Sequence, residues 1–234
     1  DNDLRHLNEL ESLSNLEYFT CRSNYISSLQ SLYNHINMMY IDCDDNQIVS
    51  LQGLENMSNL EQLSCNVNLI STLDGISNCK KLIVLNCAKN NIKSLAPLQQ
   101  HTKLKILDCE KNFLLNLRGI DNCKSLLQII CPGNHLLTLD GIKDFLSLSF
   151  LDCSGNHLQN IDVLTTCPNI FEIYCDGNPI TDIPKLFCPY ITNYWFVNGF
   201  ASFICNRNAN IEYQTRYNSV DKSILLRRIA LLTF

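Results

Sequence analysis

A parallel-strand solenoid is the fold class this chain predicts, and two columns of residues predict it. Asparagine recurs every 22 residues at Asn24, Asn46, Asn68, Asn90, Asn112, Asn134, Asn156 and Asn178. A cysteine stands three positions before each, at Cys21, Cys43, Cys65, Cys87, Cys109, Cys131, Cys153 and Cys175. An unbroken period of this length means stacked, near-identical coils, because no single coil can bury its apolar edge alone.

Each unit follows L-x-x-L-x-C-x-x-N-x-I-x-x-L-x-x-L, as in Leu60, Leu63, Cys65, Asn68, Ile70, Leu73 and Ile76. The residues from the first Leu to Cys alternate inward and outward, which predicts a short strand. Equivalent strands then lie side by side about 4.8 Å apart. The Asn amide can hold the turn after the strand and bond to a neighbouring coil's backbone. Two residues later comes an aliphatic column running from Ile26 to Ile180. Gly53, Gly75, Gly119 and Gly141 share a column seven residues after Asn, where the back of the coil turns tightly. Asn2, Leu4, Leu7 and Leu10 fall on the same grid and predict a partial first coil.

This pattern resembles the leucine-rich repeat family, whose signature is L-x-x-L-x-L-x-x-N/C-x-L. The 22-residue unit, with I-x-x-L-x-G-L after the Asn, is similar to that of phosphatase-regulatory subunits and bacterial internalins, here with a cysteine ladder. The resemblance covers about residues 1–190. It implies an α/β-type solenoid, a right-handed superhelix with short parallel strands on the concave face and loops or 3-10 turns on the convex face. Gly177-Asn178-Pro179-Ile180 resembles the closing coil of such arrays. We therefore divide the chain into a solenoid of a partial coil plus eight full coils (1–190) and a C-terminal cap (191–234). The cap is rich in aromatic residues from Tyr190 to Phe203. Its end could form a short helix, with Ser219 as N-cap and Val220, Ile224, Leu225, Ile229 and Leu232 on one face.

Thirteen cysteines would ordinarily suggest disulfides or zinc. Here eight form one inward column of small apolar residues. Cys79, Cys123 and Cys167 share a second column with Met57, His101 and Phe145, a mixture that reads as buried and medium-sized. No C-x-x-C occurs and the total is odd, so neither framework is met. Free thiols in this number fit a reducing compartment, which predicts an intracellular protein, in a host cytosol if it is a secreted effector. A chain that starts at Asp1 leaves a removed leader or a longer parent open.

A net charge of −5 argues against nucleic acid as partner, and the longest apolar runs are far short of a membrane span. Nothing resembles a nucleophile–base pair, a phosphate loop or a metal set, so we expect no catalytic residue, no metal and no cofactor. His135 and His157 stack in adjacent coils as surface residues. Binding is instead expected on the concave face. Its outward columns place Tyr18, Tyr40, Asp42, Asp44, Ile106, Asp108, Glu110, Ile130, Phe150, Asp152, Tyr174 and Asp176 on one strip. With Arg22, Asp45, Lys89, Lys111 and Glu172, these columns hold eight acids against three bases. An exposed strip of aromatic, aliphatic and acidic residues predicts a protein partner with a basic or mixed basic and apolar surface. A monomeric interaction scaffold is the favoured reading. The alternative is a targeting or regulatory module of a larger enzyme or effector, of the phosphatase-regulating kind or from a pathogen.

Overall fold

The computed structural model describes residues 2–181, except 14 and 171, together with the backbone of 191–197 and 200–205. Eight three-residue strands recur at the predicted spacing: β1 (Tyr18–Thr20), β2 (Tyr40–Asp42), β3 (Gln62–Ser64), β4 (Val84–Asn86), β5 (Ile106–Asp108), β6 (Gln128–Ile130), β7 (Phe150–Asp152) and β8 (Glu172–Tyr174). Each pairs in parallel with the next, and every residue faces its equivalent 22 positions on, as Leu63 faces Leu85. The opposite side of the coils is built of turns and short 3-10 segments, such as Gln30–Leu32, Asp74–Ile76 and Ala96–Leu98.

The central residue of each strand, the Cys column and the aliphatic columns close into one continuous core, buried from coil to coil. The Asn column explains why Cys and Asn keep their spacing. Asn68 Nδ2 donates to the Cys43, Cys65 and Asn66 carbonyls at 3.0, 3.2 and 3.1 Å. Its Oδ1 accepts the Ile48 N–H at 2.9 Å. One amide thus satisfies backbone groups in two coils where the chain leaves the ladder, and buried backbone groups left unpaired are costly. The same set recurs around Asn112, which bonds Cys87, Cys109, Glu110 and Ile92.

The residue before each Asn is left-handed. Ser23, Asp45, Val67, Lys89 and Lys111 have φ between 50° and 56°, and Gly133, Gly155 and Gly177 fill the same position in later coils. This turn lets the Asp45 N–H reach the Asn66 carbonyl at 2.8 Å and extends the ladder past the strand. Gly141, at φ 113°, is required for a second reason: a Cβ there would fall on the Leu117 carbonyl of the coil beneath.

The second buried column contains one polar device. His101 Nε2 lies 3.0 Å from the Ile76 carbonyl, and Cys79, Cys123 and Cys167 donate Sγ–H to the Leu54, Leu98 and Ile142 carbonyls. His35 belongs to this column too and meets the Leu10 carbonyl at 3.0 Å. A carbonyl only accepts, so each imidazole carries its proton on Nε2. Nδ1 of both rings is then buried without a partner among the described residues.

Beyond the solenoid the chain forms an antiparallel hairpin of β9 (Ile191–Val197) and β10 (Phe200–Cys205), and β10 pairs antiparallel with β8 through Ser202 and Tyr174. The expected terminal helix at 219–234 lies outside the described residues.

Candidate functional site

The outward positions of β1–β8 form one open face, and the structure brings all twelve predicted residues onto or beside it. Tyr18 and Tyr40 face each other across β1 and β2, with ring centroids 6.5 Å apart. At the other end Phe150 and Tyr174 lie 5.7 Å apart. Burial pushes the Tyr40 phenol up, and the Asp42 and Asp44 carboxylates push it further, against the opposing pull of Arg22.

Exposure departs from the expectation at four of these residues. Ile106, Ile130 and Phe150 are only 7, 8 and 6% exposed, and Asp44 only 6%. The cause is the ladder itself. Ile106 sits in register between Val84 and Gln128, and Ile130 between Asp108 and Asp152, so neighbours on both sides cover them. Phe150 is flanked by Gln128 and Glu172, with the Tyr174 ring against it. Tyr18 stands on the first strand, with a neighbour on one side only, and is 66% exposed.

The acids have local partners that the repeat pattern did not disclose. The residue after each Cys turns its N–H out of the backbone ladder, and the coils satisfy that donor in different ways. Asp42, Asp108 and Asp152 accept it from Asp44, Glu110 and Ser154 at 3.1, 3.0 and 3.0 Å. Asp44 accepts it from Asn66 at 2.7 Å, and Asn66 from Ala88 at 2.7 Å. Pro132 occupies the position in the sixth coil and has no N–H to satisfy. Asp44 further accepts from the Ser64 hydroxyl at 2.8 Å and from Arg22 at 3.2 Å. Glu110 lies 3.5 Å from Lys111, and Glu172 accepts from the Tyr174 hydroxyl at 2.6 Å. Asp176 is half-buried beside Asn178, whose amide bonds its carbonyl. These side chains serve the backbone as acceptors, so the acids of the face are held in place.

The thiols face the core. Burial raises the pKa of every described cysteine, to about 12 at Cys21, Cys79, Cys123 and Cys175. All eleven described cysteines are free thiols. Among the described residues no group of three or more His, Cys, Asp or Glu side chains is placed to hold a metal ion. No helix among them is long and apolar enough to cross a membrane.

A parallel ladder with this Asn and Cys register defines a leucine-rich repeat solenoid of the 22-residue kind. Comparison with solved structures carries the assignment one step further, to a fold shared with bacterial internalins. An internalin of Listeria monocytogenes, inlF, superimposes with a TM-score of 0.74 at 21% identity over 77% of this chain. The chain spans 54% of that protein's length. The functional domain of InlJ from Listeria monocytogenes, which includes a cysteine ladder, gives a TM-score of 0.59 at 28% identity, covering 77% of this chain and 43% of that one. A chain of the PEPR1–AtPEP1 crystal structure gives 0.70 at 23% identity, over 77% of this chain and 28% of its own. No protein-family model and no curated protein matches the chain.

The hairpin is what sequence reasoning missed beside the site. Its signal is Asn198-Gly199, a turn dipeptide between two runs rich in β-branched and aromatic residues.

Proposed function

We propose that the chain is a non-catalytic interaction scaffold whose strand face binds a partner protein. The observation that carries this reading is the Tyr18–Tyr40 pair, two aromatic rings on an open face with Tyr18 largely uncovered beside Arg22, Asp42 and Asp44. Aromatic anchors supply a large share of binding energy at protein interfaces, and charges around them set orientation and on-rate. Asp108, Glu110, Asp152, Tyr174 and Asp176 extend the negative face toward the last coil and favour a partner with basic or mixed basic and apolar character. Ile106, Ile130 and Phe150 then serve as the packed floor beneath the contact. That a chain of this fold occurs in the PEPR1–AtPEP1 pair is support by analogy for a binding role. The free, buried thiols support a reducing compartment as the place of action. The second reading, a targeting module within a larger enzyme or effector, is favoured by the chain spanning only part of the internalins and InlJ.

The test compares wild type with Tyr18→Ala/Tyr40→Ala in a quantitative pull-down from candidate lysates, after circular dichroism shows both folded. A protein retained by wild type and lost from the variant supports the strand face. Equal retention by both rejects it.

A further inference from the structure

The flank that leaves the strand ladder carries a second surface of opposite character. In the fourth to seventh coils it consists of residues 89–94, 111–116, 133–138 and 155–160. These segments contain three lysines, two histidines and no Asp or Glu, in a chain of net charge −5. The first and third residues after each Asn point outward here, because the Asn and the aliphatic residue between them are buried.

Phe113, His135 and His157 fill the first outward position. Their rings stand 5.6 and 5.7 Å apart, and the two imidazoles are stacked within 5° of parallel. Leu115 and Leu137 fill the third position, in coils joined by the Leu137 N–H to the Leu115 carbonyl at 2.9 Å. Phe113, Leu115 and Leu137 are 45, 54 and 58% exposed. Isolated exposed leucines are ordinary on a protein surface. A run of rings and aliphatic side chains contiguous over three coils is the pattern of an interaction site.

Exposed lysines bound this shelf on one side. Lys111 lies 3.5 Å from Glu110, whereas Lys89 and Lys93 make no ion pair within the described residues. Toward the later coils the side chains that project just before each Asn give way to Gly133 and Gly155, whose left-handed backbone lies bare beside the two imidazoles.

We propose that this flank docks an extended acidic segment of another protein. Its apolar side chains lie on Phe113, Leu115 and Leu137, and its carboxylates face Lys89, Lys93 and Lys111. Charge complementarity selects this occupant. A carboxylate-free strip bordered by Lys89, Lys93 and Lys111, of which only Lys111 has an ion pair among the described residues, attracts anions, while the strand face of the same coils repels them. A nucleic acid backbone would need a cation at successive phosphates, and the apolar centre of the shelf has none. The two faces therefore take different ligands, and failure of one assignment leaves the other standing.

The experiment pans a display library of random twelve-residue peptides on the full chain, then measures labelled synthetic copies of enriched clones by fluorescence anisotropy. Enriched peptides combining Asp or Glu with Leu or Phe are expected, with affinity falling as salt rises. Lys89→Glu/Lys93→Glu and Leu137→Gln should each weaken binding about tenfold or more, while Tyr18→Ala leaves it unchanged. All four side chains are exposed, and Leu115→Gln provides a second test of the apolar shelf should Leu137→Gln lose its circular dichroism signal. Absence of enrichment, peptides without acids, or indifference to the flank variants overturns the proposal. Phosphatidylserine vesicles or self-association in sedimentation that depend on Lys89 and Leu137, without peptide binding, overturn it in favour of a lipid surface or a second copy.

Discussion

Asp44 Oδ1 accepts the backbone N–H of Asn66, 22 residues on and one coil away, at 2.7 Å. A residue that composition would place among steering charges is thereby a structural clamp, and its loss is felt in stability. Asp44→Ala leaves the Asn66 N–H and the Ser64 hydroxyl without this acceptor in a nearly buried site. We expect a loss of about 2–3 kcal/mol in urea titrations. Asp44→Asn should cost less than half of that, since Asn66 does the same for Ala88 with an amide oxygen. Equal losses in both variants would show that the Arg22 ion pair, not the N–H, is the larger contribution.

Val67 holds φ 56°, a conformation that costs an L-residue about 1–2 kcal/mol and suits a β-branched one least. Later coils use Gly133 and Gly155 at this position. Val67→Gly should therefore raise the thermal midpoint, with a gain of roughly 1 kcal/mol after the added chain entropy of glycine is subtracted. A lower midpoint would mean that the half-covered Val67 side chain contributes more packing than the strain costs.

Burial lowers the pKa of His101, which the backbone contacts to Ile76 and Leu98 only partly offset. The unfolded chain then binds a proton at higher pH than the folded one. Stability from this group is full above about pH 6.5, the ordinary imidazole value, and declines as pH falls through the lowered folded value. Thermal midpoints of His101→Met, which copies Met57 of the same column, should fall less steeply than wild type between pH 7 and 5. Parallel profiles would place the titration elsewhere.

The eleven described thiols should resist iodoacetamide in the native protein at pH 8 and react together once it unfolds, because the thiolate is the nucleophile and burial disfavours it. Peptide-resolved mass spectrometry reads each site. Cys21 and Cys175, in the first and last full coils, should lead as the array frays from its ends. Fast native labelling of Cys87 or Cys109 would contradict the packed ladder.

Sequence alone determined the coil, the strand, the inward Cys and Asn columns, and therefore the leucine-rich repeat fold. A fixed period constrains every coil at once, and inward columns admit few residue types. Outward columns carry no such constraint, so their chemistry was readable but their surroundings were not. Only the tertiary structure decided that Ile106, Ile130 and Phe150 are covered while Tyr18 is not, because cover comes from neighbours 22 residues away on either side. It also decided that Asp42, Asp44, Asp108 and Asp152 spend their oxygens on backbone donors, since an N–H outside the ladder becomes visible only when the coils are stacked. The β9–β10 hairpin was likewise settled in three dimensions: its pairing with β8 is antiparallel and falls outside the 22-residue grid that made the rest legible.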